Sequence, residues 1–442
     1  MSRRTWVIVA MSLALVAAAG VAYARSRHSC GAQVTSLSGS RSTSPFLDAE
    51  QRAAQPDRNR DALVKTLEVD PAPIGEVVGA VGYHYEQWAH VSAYAQGIGV
   101  RTRDNPDFTM LDDESLEPQW SVKVTSKRSA YDASAQRYLV ATMPGDAPSD
   151  LVVLDADDGK QLWCAAWSKA TVRAEDPWAT QILDGEDVAV LGPGGGRKER
   201  IVRFSERDGS MVWEHTLDAD SGDFLGDMGN DTLLAGGREQ FRLFDPQSMG
   251  DRPAGTSLVL VSARDGSTLW THREPAGSDL HVVGTDPDSG TAVVQEWSVR
   301  AGSAQLRAIN RKGDQEWFAV PARGDYFDAA LRGSRILVRS ENQWSAYALE
   351  DGQLLWRRSV PAKPQFLPYG FELDSIPMLD ADHALIGGTS ALHTLDLRTG
   401  AMTSAPLPTD GINTTYWPYE VAVSDRLIAV ATNTGAAVVR RE

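Results

Sequence analysis

Cysteine, lysine and helical periodicity are all scarce in this chain. Of 442 residues two are cysteine, Cys30 and Cys164. They are too far apart for a metal-site spacing and too few for a disulfide framework. Lysine supplies only 8 of the 43 basic residues, and 59 acidic residues leave a net charge of −16. Binding a phosphate backbone needs a concentrated positive surface, so nucleic acid is excluded as a partner. The chain carries no G-x-S-x-G, no H-E-x-x-H, no P-loop and no C-x-x-C-H. Its eight histidines, among them His84, His215, His272, His281, His383 and His393, are scattered along it. No long stretch after about residue 85 repeats its apolar residues at a helical period. With 42% apolar and 23% charged residues, the chain nevertheless has enough to bury a core.

The N-terminus stands apart. Arg3 and Arg4 precede an apolar run from Trp6 to about Val21, which ends in Ala22-Tyr23-Ala24. That is the layout of a secretory signal, and the run is also nearly long enough to span a bilayer if uncleaved. Residues 1–24 therefore read as a signal peptide or membrane anchor. Either reading places the rest outside the cytoplasm, secreted or anchored at the cell membrane. Ser2 to Val7 loosely resembles a twin-arginine export signal, with Trp6 where Phe is usual. Arg27-His28-Ser29 before Cys30 does not resemble a lipobox. Residues 25–84 read as a linker or stalk, Ser- and Thr-rich at first, with a short helix around Asn59 to Leu67. In an exported chain Cys30 and Cys164 either pair, tethering the tail to the body, or remain a tail thiol and a small buried hydrophobe beside Trp163. Both alternatives stay open.

What is present in quantity is a repeat. The segment LVVLDADDGKQLW, residues 151–163, reads as a strand, a tight turn and a second strand. Its pattern returns up to Trp213, Trp270, Trp317 and Trp356. In each copy Gly stands four residues before Trp: Gly159, Gly209, Gly266, Gly313 and Gly352. A weaker copy keeps Trp120 but has Leu116 for Gly, and another keeps Gly400 but has Ser404 for Trp. Short β runs lie between the copies, which recur every 39 to 57 residues. About four strands at that spacing make one propeller blade.

These repeats resemble those of the PQQ-like (pyrroloquinoline-quinone-type) β-propeller family, over residues 85–442. The resemblance implies an all-β fold of four-stranded antiparallel blades. Trp120, Trp163, Trp213, Trp270, Trp317 and Trp356 would each dock against a neighbouring blade, and Ser404 would leave a weaker joint. The last copy stops before its Gly and Trp. An open blade would expose an unpaired edge, so residues 85–91, with Trp88, are expected to pair with the C-terminal blade and close the ring. Eight blades result, with seven as the alternative.

For function, the departures from the family's quinone dehydrogenases weigh most. The chain has no adjacent cysteines and no haem extension. Asp155 to Gly159 and Asp286 to Gly290 look like calcium loops but lack the downstream Glu and read as turns. The resemblance thus points to the non-catalytic branch, without cofactor: an exported, membrane-tethered module that binds or scaffolds envelope proteins. The alternatives are a quinone-dependent oxidoreductase, using PQQ and calcium, and an extracytoplasmic small-ligand sensor. Aromatics recur before the first strand of most blades, including Tyr94, Tyr131, Trp178, Phe224, Tyr326 and Phe371. They either pack between blades or ring one face. Tyr416, Trp417 and Tyr419 are too many for one buried slot. With Trp178 and Phe371 they form the candidate interaction surface.

Overall fold

The computed structural model describes residues 34–36, 77–82, 89–94, 97–102, 108–112, 114, 116–122, 129–132, 137–142, 150–166, 179–183, 187–195, 198–217, 224–237, 257–274, 278–298, 303–319, 327–340, 343–359, 378–387, 391–406, 418–424, 426–432 and 435–441. Among them there is no helix, and so none long and apolar enough to cross a membrane. The signal or anchor segment and the helix expected around Asn59 lie outside the described residues.

The strands form eight antiparallel sheets. In the second, Ser129–Asp132, Arg137–Thr142, Asp150–Asp155 and Gln161–Ala166 pair in sequence order. The third to sixth sheets repeat this meander. Their outer strands are Met211–Leu217, Thr268–Arg273, Gln315–Ala319 and Leu354–Ser359. Among the described residues the seventh sheet has three strands, with Met378 bridged to Ala384 where a fourth would stand. First strands of most successive sheets approach one another, so the sheets stack around a common axis like the blades of a propeller.

The core lies between sheets. Val152 and Leu154 join Phe108, Met110, Trp120 and Val122 of the first sheet. Leu151 and Val153, on the opposite face of the same strand, join Val188, Val190 and Val202 of the third. This explains the unbroken apolar run at 151–154. A half-buried strand alternates apolar and polar residues, whereas one covered on both faces is apolar throughout. Each of four further clusters likewise straddles the joint between two neighbouring sheets, from the third sheet to the seventh.

The ring closes differently from the expectation. The strand that completes the eighth sheet is Val77–Gly82, paired with Gly435–Arg440; of the expected residues 85–91, residues 85–88, with Trp88, lie outside the described residues. Ala89–Tyr94 instead pairs with Gly97–Thr102 at the start of the first sheet. Closure by an N-terminal strand answers the edge problem. A second N-terminal strand, Val34–Ser36, adds a fifth strand to the first sheet, outside Pro118–Val122.

Candidate functional site

Each joint is built from the repeated Gly and Trp. In every complete copy the turn glycine has a positive φ, +70° at Gly159 and +69° at Gly352, which glycine adopts without strain. Its amide closes the turn, as when Gly159 N donates to Asp155 O at 2.9 Å. The outer strand then carries a β-bulge just before Trp, seen in the register shift from Gln161 to Trp163. The same shift precedes Trp120, Trp213, Trp270, Trp317 and Trp356.

Each Trp occupies the space beside the next sheet's glycine. A Cβ on Gly159 would meet Trp120, and those on Gly209, Gly266, Gly313, Gly352 and Gly400 would meet Trp163, Trp213, Trp270, Trp317 and Trp356. The indole then donates across the joint. Trp120 Nε1 bonds Ala156 O at 3.0 Å, Trp317 Nε1 bonds Leu349 O at 2.8 Å, and Trp356 Nε1 bonds Leu397 O at 2.7 Å. Trp213 and Trp270 do the same with Ala263 O and Arg311 O. Trp163 Nε1 is buried and has no acceptor among the described residues.

Two joints lack this pair. In the eighth sheet Gly79 stands opposite Val438 after the same bulge, so a glycine holds the register of Trp. In the next sheet Leu116 holds the place of glycine, with φ +57° and 5% exposure. At these two register positions the large and the small residue are exchanged: glycine stands at the place of Trp, and a buried leucine at the place of glycine. Between the seventh and eighth sheets, where Ser404 replaces Trp, Arg441 bonds Ser424 O at 3.1 Å and Leu379 O. A guanidinium near the C-terminus thus ties the joint that the sequence pattern leaves weak.

The bulges have a second consequence. A bulge sets two residues opposite one, and the extra one turns outward. Leu162, Val212, Leu269 and Leu355 are these residues, and with Met211 and Leu354 they are the exposed large hydrophobics among the described residues. A recurrent apolar rim follows the outer strands, a feature the motif count alone did not reveal.

The aromatic candidates fare less evenly. Trp178, Phe371, Tyr416 and Trp417 lie outside the described residues. Tyr419 falls on the first strand of the eighth sheet, Pro418–Val423, at a register shift between Pro418 and Glu420. Phe224 packs against the cluster between the fourth and fifth sheets, which is the inter-blade alternative for that position.

Charged groups cluster across the joint between the fourth and fifth sheets. The buried Glu274 takes bonds from His272 Nε2 at 2.7 Å and from Arg307, which also approaches Glu296 at 3.8 Å. The His272 bond and the Arg307 guanidinium hold the Glu274 carboxyl below the usual range against the opposing effect of burial. These ties link the fourth and fifth sheets. The two calcium-like stretches are turns: Asp155 Oδ1 accepts from Asp157 N at 3.0 Å, and Asp286 Oδ2 from Ser289 N at 3.1 Å. Among the described residues no three His, Cys, Asp or Glu side chains are grouped to hold a metal.

Sheets stacked around an axis and joined by a repeated Gly–Trp contact define a β-propeller with the PQQ-like repeat. The profile of the family described as outer membrane protein assembly factor BamB matches residues 60–241 and 254–442, and the chain belongs to this family. Among solved structures it is similar to BamB from Moraxella catarrhalis, at 14% identity and a TM-score of 0.52, over 83% of this chain and 100% of that one. The Dos1 propeller gives 10% identity and a TM-score of 0.54, over 83% and 95%. Saccharomyces cerevisiae Sqt1 gives 11% and 0.52, over 83% and 99%. At these identities the likeness is one of fold. No curated protein matches the sequence.

Proposed function

We propose that this chain is an exported, membrane-tethered propeller of eight blades that serves as a non-catalytic binding or scaffolding module for envelope proteins. The observation that carries the reading is membership in a family described by an assembly factor of outer membrane proteins. Two features of the chain support it. Residues 1–24 have the layout of an export signal or anchor. The outer strands present apolar side chains, Met211, Val212, Leu354 and Leu355, on a rigid frame whose joints are buried. Apolar groups on such a frame suit protein contacts, because ordering them costs little further entropy.

Two surfaces compete for the partner, and cross-linked capture of the full-length protein from its native envelope distinguishes them. Changing Tyr416, Trp417 and Tyr419 to Ala abolishes capture if the aromatic segment is the binding face. Changing Met211, Leu269 and Leu354 to Ser abolishes it if the outer rim is. A protein that captures no envelope partner, and whose tryptophan emission responds to PQQ with calcium, would instead be the quinone-dependent oxidoreductase.

A further inference from the structure

The N-terminal strand and Cys164 meet at the same joint. Val34–Ser36 lies antiparallel on the outer strand of the first sheet, with Val34 opposite Val122, Thr35 opposite Ser121 and Ser36 opposite Trp120. Cys164, on the outer strand of the second sheet, is partly buried against the cluster that contains Trp120 and Val122. It is disulfide-bonded, and Cys30 is the one other cysteine of the chain. Cys30 lies outside the described residues and precedes Val34 by four residues, a reach of at most about 14 Å of extended chain.

We propose that Cys30 and Cys164 form a disulfide that clasps the N-terminal segment over the outer edge of the first sheet. Two independent observations carry it: a strand laid on that edge, and an oxidised sulfur beside it. Three residues of pairing are too few to hold a strand alone, since each short antiparallel pairing must offset the ordering of its own backbone. The covalent bond supplies what the pairing lacks by keeping the segment close. Oxidised, the clasp covers the edge from Trp120 to Val122 and fixes the place where the N-terminal segment leaves the body. Reduced, it frees an edge that its own occupant shows to accept an extended, β-branched and polar segment in antiparallel register.

Opening takes two electrons and two protons. A dithiol attacks one sulfur, its second thiol resolves the mixed disulfide, and the products are two cysteine thiols and a cyclic disulfide. The clasp therefore responds to a dithiol reductant and closes again under a disulfide oxidant.

Peptide mapping of full-length protein, alkylated without reductant, is the first test. One linked peptide pair holding Cys30 and Cys164, lost on dithiothreitol treatment, is the expected result. Two alkylated cysteines, or a cross-link between two chains, overturn the proposal. Amide exchange is the second test. Reduction, or Cys30→Ser, speeds exchange within residues 120–122 by about tenfold or more, while residues 211–217 stay unchanged. Cys30→Ser leaves the packed Cys164 in place, so the comparison does not depend on a core substitution. Equal exchange before and after reduction shows that the disulfide does not hold the edge, and sinks the clasp.

Discussion

A Cβ added to Gly159 would stand 2.6 Å from Cδ2 of Trp120, so the indole of one sheet is seated where only glycine can face it. Two constraints coincide at that glycine. Its φ of +70° disfavours other residues, and its surface is the floor for the next tryptophan. Gly159→Ala therefore carries both a backbone and an overpacking penalty, about 2–4 kcal/mol together. Gly333 is the control: its φ is +54°, but the nearest atom to its added Cβ is Ala381 O at 3.8 Å. Gly333→Ala should cost only about 1 kcal/mol. Urea unfolding of the two variants measures the difference, and equal losses would mean that the indole contact contributes nothing.

The exchange of sizes at ring closure leads to a second expectation. Leu116→Gly should lose about 1–4 kcal/mol, because the loss of a buried side chain is only partly offset by relief of the left-handed backbone at φ +57°. Gly79→Trp alone should also destabilise, since leucine stands at the position where glycine makes room for the indole at the other joints. The double variant rebuilds the pair found at the other joints, so it should be more stable than the sum of the two losses predicts. Thermal unfolding of all four proteins completes the cycle. Additive losses would show that Gly79 and Leu116 do not share the joint.

Trp163 and Trp356 differ in one bond. Trp356 Nε1 donates to Leu397 O, whereas Trp163 Nε1 is buried without an acceptor among the described residues. Replacing Trp356 by Phe leaves a buried carbonyl short of a donor, whereas the same change at Trp163 removes an unsatisfied one. Trp356→Phe should therefore cost about 1 kcal/mol more than Trp163→Phe. Denaturant midpoints at matched slopes check this, and a reversed order would refute it.

His393 makes the fold sensitive to mild acid. It is 1% exposed, and burial lowers its pKa from 6.5 to about 4. The unfolded chain binds a proton below pH 6.5 that the folded chain refuses until about pH 4. Stability is thus complete above 6.5 and falls with pH through this window. The loss between about pH 7 and about pH 5 is about 2 kcal/mol. Glu274, held below its usual value, releases its stabilisation at lower pH. His393→Gln should flatten Tm between pH 7 and 5, and an unchanged slope would assign the sensitivity to another group.

The sequence by itself determined the repeat and what the repeat builds. Gly four residues before Trp is a local pattern, and its physical cause is local too: a left-handed turn residue, then a bulge, then a large flat side chain. The all-β fold and the stacking of its sheets follow from that unit, because apolar runs such as 151–154 require cover on both faces. What only the tertiary structure decided lies where the pattern is absent. Val77–Gly82 closes the ring although it carries no Trp, because an unpaired edge selects its partner by backbone register and proximity, not by motif. Leu116 reads as a degenerate copy in the sequence, yet its side chain is buried, and the residue at the tryptophan register of the preceding sheet is Gly79, far earlier in the chain. The burial of His393 and the strand at Val34–Ser36 are likewise products of packing between segments distant in the chain. Local pattern fixes the blade; long-range contact fixes how the first and last blades meet.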